Sequence, residues 1–422
     1  MKVARLLCLT VLFAMVSLMS GALDWPQFRG PQRIGASQES GLLGEWPKEG
    51  PRLLWQMKDI DEGYGAPAVV GERVYLISIK GLENEFVQAL SVKDGKQIWA
   101  TSLGKVGNPN QQPPYPKARS TPTVDGSLLY AFSSDGDLAC VEAASGKIVW
   151  KRNVRSDFGG KPGIWAYAES PLIDGDAVVV TPGGSDATIV KLNKKSGVTI
   201  WKSAVPGGDP AGYSSIALVE AAGRKQYVQF LEKGLVGVDA ATGQFLWRYT
   251  GMVGSPANMC MPVPRGQYVY HANTRRAAAA LLQLKPSQDG VAAEQVYLER
   301  DLPNDIGGQV LVGDYLYGTH AETGLAAVEF LTGKVRWRAE GIGSGSIFYA
   351  DGRLYLHGES GDVALVEATP EAYREKGRFT PPGQPQHTGG SMEKAWAYPV
   401  VANGRLYIRD LGTLWCYDVK KR

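Results

Sequence analysis

One ten-residue phrase is written several times along this chain of 422 residues. It reads "LSVKDGKQIW" at 90–99, "VEAASGKIVW" at 141–150, "VDAATGQFLW" at 238–247 and "VEFLTGKVRW" at 328–337, with a looser copy, "LNKKSGVTIW", at 192–201. The first half is a short apolar strand. The (Ser/Thr/Asp)-Gly-(Lys/Gln) centre is a tight hairpin in which glycine supplies a positive φ. The second half is the return strand, ending on a large aromatic that packs between neighbouring sheets. The closing tryptophans stand at 55, 99, 150, 201, 247 and 337, with gaps of 44, 51, 51, 46 and 90 residues. Tyr297 fills the double gap, and Phe379 in "KGRFTPP" continues the series. A period of this length with four short strands per unit is the signature of a β-propeller.

A second hairpin lies upstream of each aromatic, as in "PTVDGSLLYAFS" and "PVVANGRLYIRD". Counting degenerate copies, there are eight. The last is followed by "LWCYDV" and then stops one strand short. The missing strand is "RLLWQM" around Trp55. The expected fold is therefore all-β: an eight-bladed propeller of four-stranded antiparallel blades over 51–422, closed by its N-terminal strand so that no sheet edge is left open.

Residues 1–22 read as a signal peptide. Lys2 and Arg5 precede an apolar run from Leu6 to Met19, and Ser20-Gly21-Ala22 supplies the small residues of a cleavage site. The run is too short to span a membrane. These features predict a periplasmic or secreted protein cleaved near Ala22. Residues 23–50 form an extended arm, "WPQFRGP" among them, expected to pack along the side or base of the propeller. Cys140, Cys260 and Cys416 are scattered through strand-like contexts and read as buried packing residues rather than a disulfide framework. Net charge is only +3, from 45 basic and 42 acidic residues with no basic stripe, which excludes nucleic acid as a partner.

The repeat resembles the PQQ-type propeller repeat. That family includes quinoprotein alcohol dehydrogenases and the outer-membrane assembly factor BamB, and both imply eight blades. The arm, "DWPQFRGPQRIGAS", is similar to the start of exported PQQ-like propeller proteins of planctomycete-type bacteria.

The turns within hairpins are minimal, whereas the connections from the fourth strand of one blade to the first of the next (the d–a loops) are long at 101–120, 152–169, 205–214, 249–258 and 381–396. Long loops on a rigid scaffold place any function on that face. The residues just ahead of each first strand should ring the mouth of the central channel: Tyr64, Arg119, Glu169, Tyr213, Asn258, Asp305, Ser344 and Trp396. His271, His320, His357 and His387 are expected on the same face, exposed or at the rim.

Two functions fit. The resemblance to quinoproteins implies PQQ and Ca²⁺ at the channel mouth, with Glu169 and Asn258 on the ion, Arg119 on the quinone and Asp305 as catalytic base oxidising an alcohol or sugar. The chain lacks the vicinal cysteine pair and the CxxCH of that group. The resemblance to BamB implies a scaffold without cofactor, probing its partner with Tyr64, Tyr213, Ser344 and Trp396. That partner would be an envelope protein or an extracellular polymer, bound by a monomeric propeller. No GxSxG or HExxH points to hydrolysis.

Overall fold

The computed structural model describes residues 23–111, 116–253, 257–274, 278–288, 290–320, 322–387 and 393–422. The signal-peptide reading of 1–22 lies outside them. Eight four-stranded antiparallel sheets form the propeller: blade 1 at 68–104, blade 2 at 123–153, blade 3 at 172–203, blade 4 at 217–249, blade 5 at 263–300, blade 6 at 309–339, blade 7 at 345–379 and blade 8 at 400–418. Blade 8 takes its outer strand from Arg52–Met57, which pairs antiparallel with Thr413–Asp418. This is the closure expected from the sequence. Among the described residues, no helix is long and apolar enough to cross a membrane.

The repeated phrase builds the joint between blades. Trp99 of blade 1 donates its indole N–H to Ala143 O of blade 2 at 3.2 Å, and its ring lies over Gly146 of the next copy. Trp150 repeats this on Lys194 O and Gly197, and Trp55 on Val92 O and Gly95. Tyr297 bonds Phe330 O through its hydroxyl and sits on Gly333. The aromatic and the glycine of one decapeptide thus belong to two successive joints. At Gly95, Gly146 and Gly197 the glycine is needed twice over: its φ is positive, and a Cβ would enter the ring of the preceding blade, whereas at Gly333 a Cβ would only touch Tyr297 at 3.4 Å. Trp201 sits on Gly243 but leaves its N–H without a partner among the described residues, because Lys191 occupies Ala240 O.

Blade 7 departs from the expected series. The classic bulge of each outer strand is followed by the aromatic, and in blade 7 that register holds Gly377, opposite Leu365. Phe379 lies two residues further on and keeps the seat on the next glycine, Gly50, whose Cβ would lie 2.4 Å from its ring. The place beside Tyr355 is taken by Trp46 of the arm, whose backbone N–H bonds Lys376 O at 2.8 Å and whose ring packs 5.8 Å from Tyr355 and 5.4 Å from Phe379. A Cβ at Gly377 would lie 2.6 Å from Trp46 Cβ, so glycine here makes room for the substitute ring.

The arm does more than follow the side and base. Its residues 24–37 enter the central channel and touch the inner strands of five blades. Trp25 exchanges backbone hydrogen bonds with Val69 of blade 1 at 2.7 and 2.8 Å, and Pro26 O accepts from Val124 N of blade 2. Arg33 donates to Ser170 O and Pro171 O at the entry to blade 3, and Arg29 to Gln309 O of blade 6. Tyr349 of blade 7 bonds both Gly35 O and Ser37 N. Trp25 is 3% exposed, its ring 4.7 Å from Phe348. The arm then runs back along the hairpin turns, where the Glu39 carboxylate accepts the backbone N–H groups of Asn403 and Gly404. It is a plug in the channel. The three described cysteines are free and buried, as expected.

Candidate binding cavity at the channel mouth

On the face of the d–a loops the channel opens into a cavity of about 480 Å³. Tyr64, Arg119, Tyr213, Asp305, Ser344 and Trp396 line it, as expected from the sequence. Glu169 and Asn258 do not. The reason is the alternation of extended chain. Ala168 and Ser170 face the cavity, so Glu169 between them points back into the blades; Ala257 and Met259 do the same to Asn258. The lining also includes residues the sequence did not single out, among them Phe28 from the plug, Trp165, Glu359 and Tyr398. Only Tyr398 carried a signal, being two residues beyond Trp396 and so on the same side of an extended segment.

Three aromatic pairs dominate the walls. Tyr64 and Trp396 pack 4.9 Å apart on one side, Trp165 and Tyr213 5.3 Å apart on another, and Phe28 meets Tyr398 edge-on at 5.3 Å. The Arg119 guanidinium lies 5.6 Å from the Tyr64 ring centre, a cation–π contact, and donates to Lys117 O at 3.1 Å. Most polar groups are held by the protein. Trp396 donates to Glu359 at 2.9 Å, Tyr213 OH accepts the Trp165 N–H at 3.1 Å, and Tyr398 OH donates to Ile306 O at 3.1 Å. The exception is the Tyr64 hydroxyl, which is buried and has no hydrogen-bond partner among the described residues.

The oxygen donors proposed for a calcium ion, Glu169 and Asn258, are committed elsewhere, at two different blade junctions. Glu169 accepts from Thr181 N at 2.7 Å, Thr181 Oγ1 at 3.1 Å and Gln229 Nε2 at 3.2 Å, joining blades 3 and 4. Asn258 donates to Leu231 O at 2.6 Å and accepts from Asn273 at 2.9 Å, joining blades 4 and 5. Asp305, the expected base, does line the cavity, where it accepts from Ile306 N at 2.9 Å and Thr319 Oγ1 at 3.2 Å. As placed, Glu169 and Asn258 do not fit a single ion. Among the described residues no group of three or more His, Cys, Asp or Glu is placed to hold a metal.

Burial pushes the Glu169 carboxyl up to about 8. Its folded pKa therefore lies above its unfolded value, near 4.5, so the stabilisation is full below pH 4.5 and is lost as pH rises through 8. Glu169→Gln keeps an acceptor for Thr181 without the charge. Relative to wild type it should gain stability from pH 5 to pH 8.5, by an amount on the order of 4 kcal/mol. Urea denaturation at the two pH values checks this; a difference that does not change with pH would mean that Glu169 is ionised throughout.

Three of the four histidines are not at the rim. His271, His320 and His357 end or occupy second strands and are buried within their blades. His271 packs edge-on against Phe230 at 4.1 Å, where burial alone lowers its pKa to about 3. His387 lies in a d–a loop and pairs with Asp410 at 3.0 Å. Residues 112–115, 254–256 and 388–392 of the long loops fall outside the described chain.

The family model described as outer membrane protein assembly factor BamB matches residues 83–339. BamB of Salmonella typhimurium is 26% identical over 141 residues, 33% of this chain and 31% of that protein. Tetrathionate hydrolase of Acidithiobacillus ferrooxidans is 24% identical over 229 residues, 46% of this chain and 42% of that protein. The chain thus matches less than half the length of these curated relatives. The crystal structure of BamB from Moraxella catarrhalis superposes with a TM-score of 0.61 at 16% identity, covering 88% of this chain and 98% of that one. At that identity the likeness concerns the fold alone.

Proposed function

Because the chain belongs to the PQQ-repeat family whose model is that of the outer membrane protein assembly factor BamB, we propose that it is an exported, non-catalytic binding propeller that holds its partner on the d–a loop face. The observation that carries this reading is the cavity: successive blades and the plug converge on it with aromatic rings, which are suited to contact, and not with a set of free ionisable groups. The partner is an envelope protein, in keeping with the relatives' name, or an extracellular polymer. Nucleic acid is disfavoured by the balanced charge. The protein works in the periplasm or after secretion, as a monomeric propeller, once 1–22 has been removed.

The alternative is a PQQ- and calcium-dependent dehydrogenase, with Arg119, Glu169, Asn258 and Asp305 as its site. Against it stands the engagement of Glu169 and Asn258 by two separate blade junctions. Titration of the purified protein with PQQ, with and without millimolar Ca²⁺, tests the choice. The expected result is no saturable binding. Calcium-dependent binding that disappears in Glu169→Ala and Asn258→Ala would replace the scaffold by the enzyme. Under the scaffold reading, envelope material is retained on the immobilised protein, and Trp165→Ala with Trp396→Ala abolishes the retention. Lys225→Glu, at the hairpin turns on the opposite face, leaves it intact. Retention indifferent to the two tryptophans would remove the loop face from consideration.

A further inference from the structure

Building on the binding role proposed above, we infer that the cavity receives the terminal pyranose ring of a glycan. Three features of the lining converge on this ligand. The first is the arrangement of rings. Tyr64 with Trp396 and Trp165 with Tyr213 present aromatic faces from different blades, and Phe28 with Tyr398 adds a third pair. Such surfaces are complementary to the apolar C–H faces of a sugar ring, which combines flat hydrocarbon faces with a hydroxylated edge.

The second is what stands between the rings. Arg119, Asp305, Ser344 and Glu359 line the same space, together with the hydroxyls of Ser170, Ser215 and Thr274. A purely apolar occupant would strip water from this belt and replace none of its hydrogen bonds, a loss that cavities built for hydrocarbons avoid. The signs of the charges are mixed, one guanidinium against two carboxylates. A strongly charged ligand of either sign meets repulsion, whereas a neutral polyol can donate to the carboxylates and accept from the guanidinium. Tyr64 offers its ring to this space and not its hydroxyl, which is fully buried.

The third is that the cavity is blind. The plug fills the channel below it: Trp25 pairs with blade 1, Arg29 with blade 6 and Arg33 with the entry to blade 3, and Phe28 is part of the cavity lining. A polymer cannot thread through. Only a chain end can enter, so recognition is of a terminal ring.

The test is a tryptophan-fluorescence titration of the purified protein with a panel of methyl pyranosides and short linear oligosaccharides, with sorbitol as an acyclic polyol and a cyclodextrin as a ring of sugars without an end. The expected result is saturable quenching by at least one pyranoside or linear oligosaccharide and none by sorbitol or cyclodextrin. Trp165→Ala and Trp396→Ala each weaken binding about tenfold or more. Tyr64→Phe keeps the ring and loses only a hydroxyl shut off from the cavity, so it leaves the affinity unchanged. Absence of quenching by every sugar, equal quenching by sorbitol or cyclodextrin, or full affinity in both Trp165→Ala and Trp396→Ala overturns the assignment. If sugars fail while envelope protein is still retained through Trp165 and Trp396, the glycan falls and the binding propeller stands. If both fail, the loop face has no binding role.

Discussion

Trp25→Ala is expected to lower the unfolding free energy by about 3–5 kcal/mol, the range for deleting a large aromatic from a packed site. Trp25 is 3% exposed and packs against Phe348 of blade 7 while its backbone pairs with Val69 of blade 1. The ring therefore bridges two blades that are not neighbours in the circle. Its loss leaves a cavity in the axis of the propeller, where eight rigid sheets cannot all move inward to fill it. It also frees the plug, uncovering apolar inner-strand surface that a dye such as ANS would report. Urea denaturation checks the magnitude, with the midpoint and slope read together. A loss below about 1 kcal/mol, the size of an ordinary surface change, would mean that the arm lies on the propeller without being part of its core.

Gly146→Ala is the second large effect. Gly146 has φ +74°, and its added Cβ would lie 2.5 Å from Trp99 Cε3 and 2.6 Å from Thr101 Oγ1. Left-handed backbone for a non-glycine residue costs roughly 1–2 kcal/mol and overpacking about 1–3 kcal/mol more. Gly126 in the same blade separates the two. It has φ +59°, and a Cβ there meets nothing within 4 Å, so Gly126→Ala bears the backbone cost alone. The difference between the two variants, measured in one urea series, is the contribution of the ring-on-glycine seat. Equal losses would show that Trp99 yields freely and that the joint is looser than its contacts indicate.

These two residues mark where sequence was readable and where it was not. The Trp-to-Gly joints could be anticipated because both partners sit in a phrase repeated at a fixed interval, and periodicity survives without knowledge of contacts. Phe379 kept the series by sitting on Gly50, but the ring beside Tyr355 comes from Trp46 of the arm, over three hundred positions from Gly377, and nothing local to Gly377 announces that. The plug was missed for the same reason: "WPQFRGPQRIG" has no partner of its own kind in the chain, so its destination depends on a channel that exists only once eight blades are assembled. At the mouth, six of eight ring residues were correctly placed by their position ahead of each first strand. Glu169 and Asn258 missed by one residue, and in an extended segment one residue reverses direction. The polar types that suggested an ion site are instead what blade junctions use to satisfy buried backbone groups.

Ring closure has a consequence for the order of events in folding. Arg52–Met57 is among the first strands made, and its partner Thr413–Asp418 is nearly the last. Until that partner emerges, the early strand must remain unpaired, an open edge able to recruit a second chain. The circle cannot shut by increments, and the closing contact spans almost the whole polypeptide, the kind of topology that folds slowly. Until that contact forms, the folding chain is an arc with two adhesive ends.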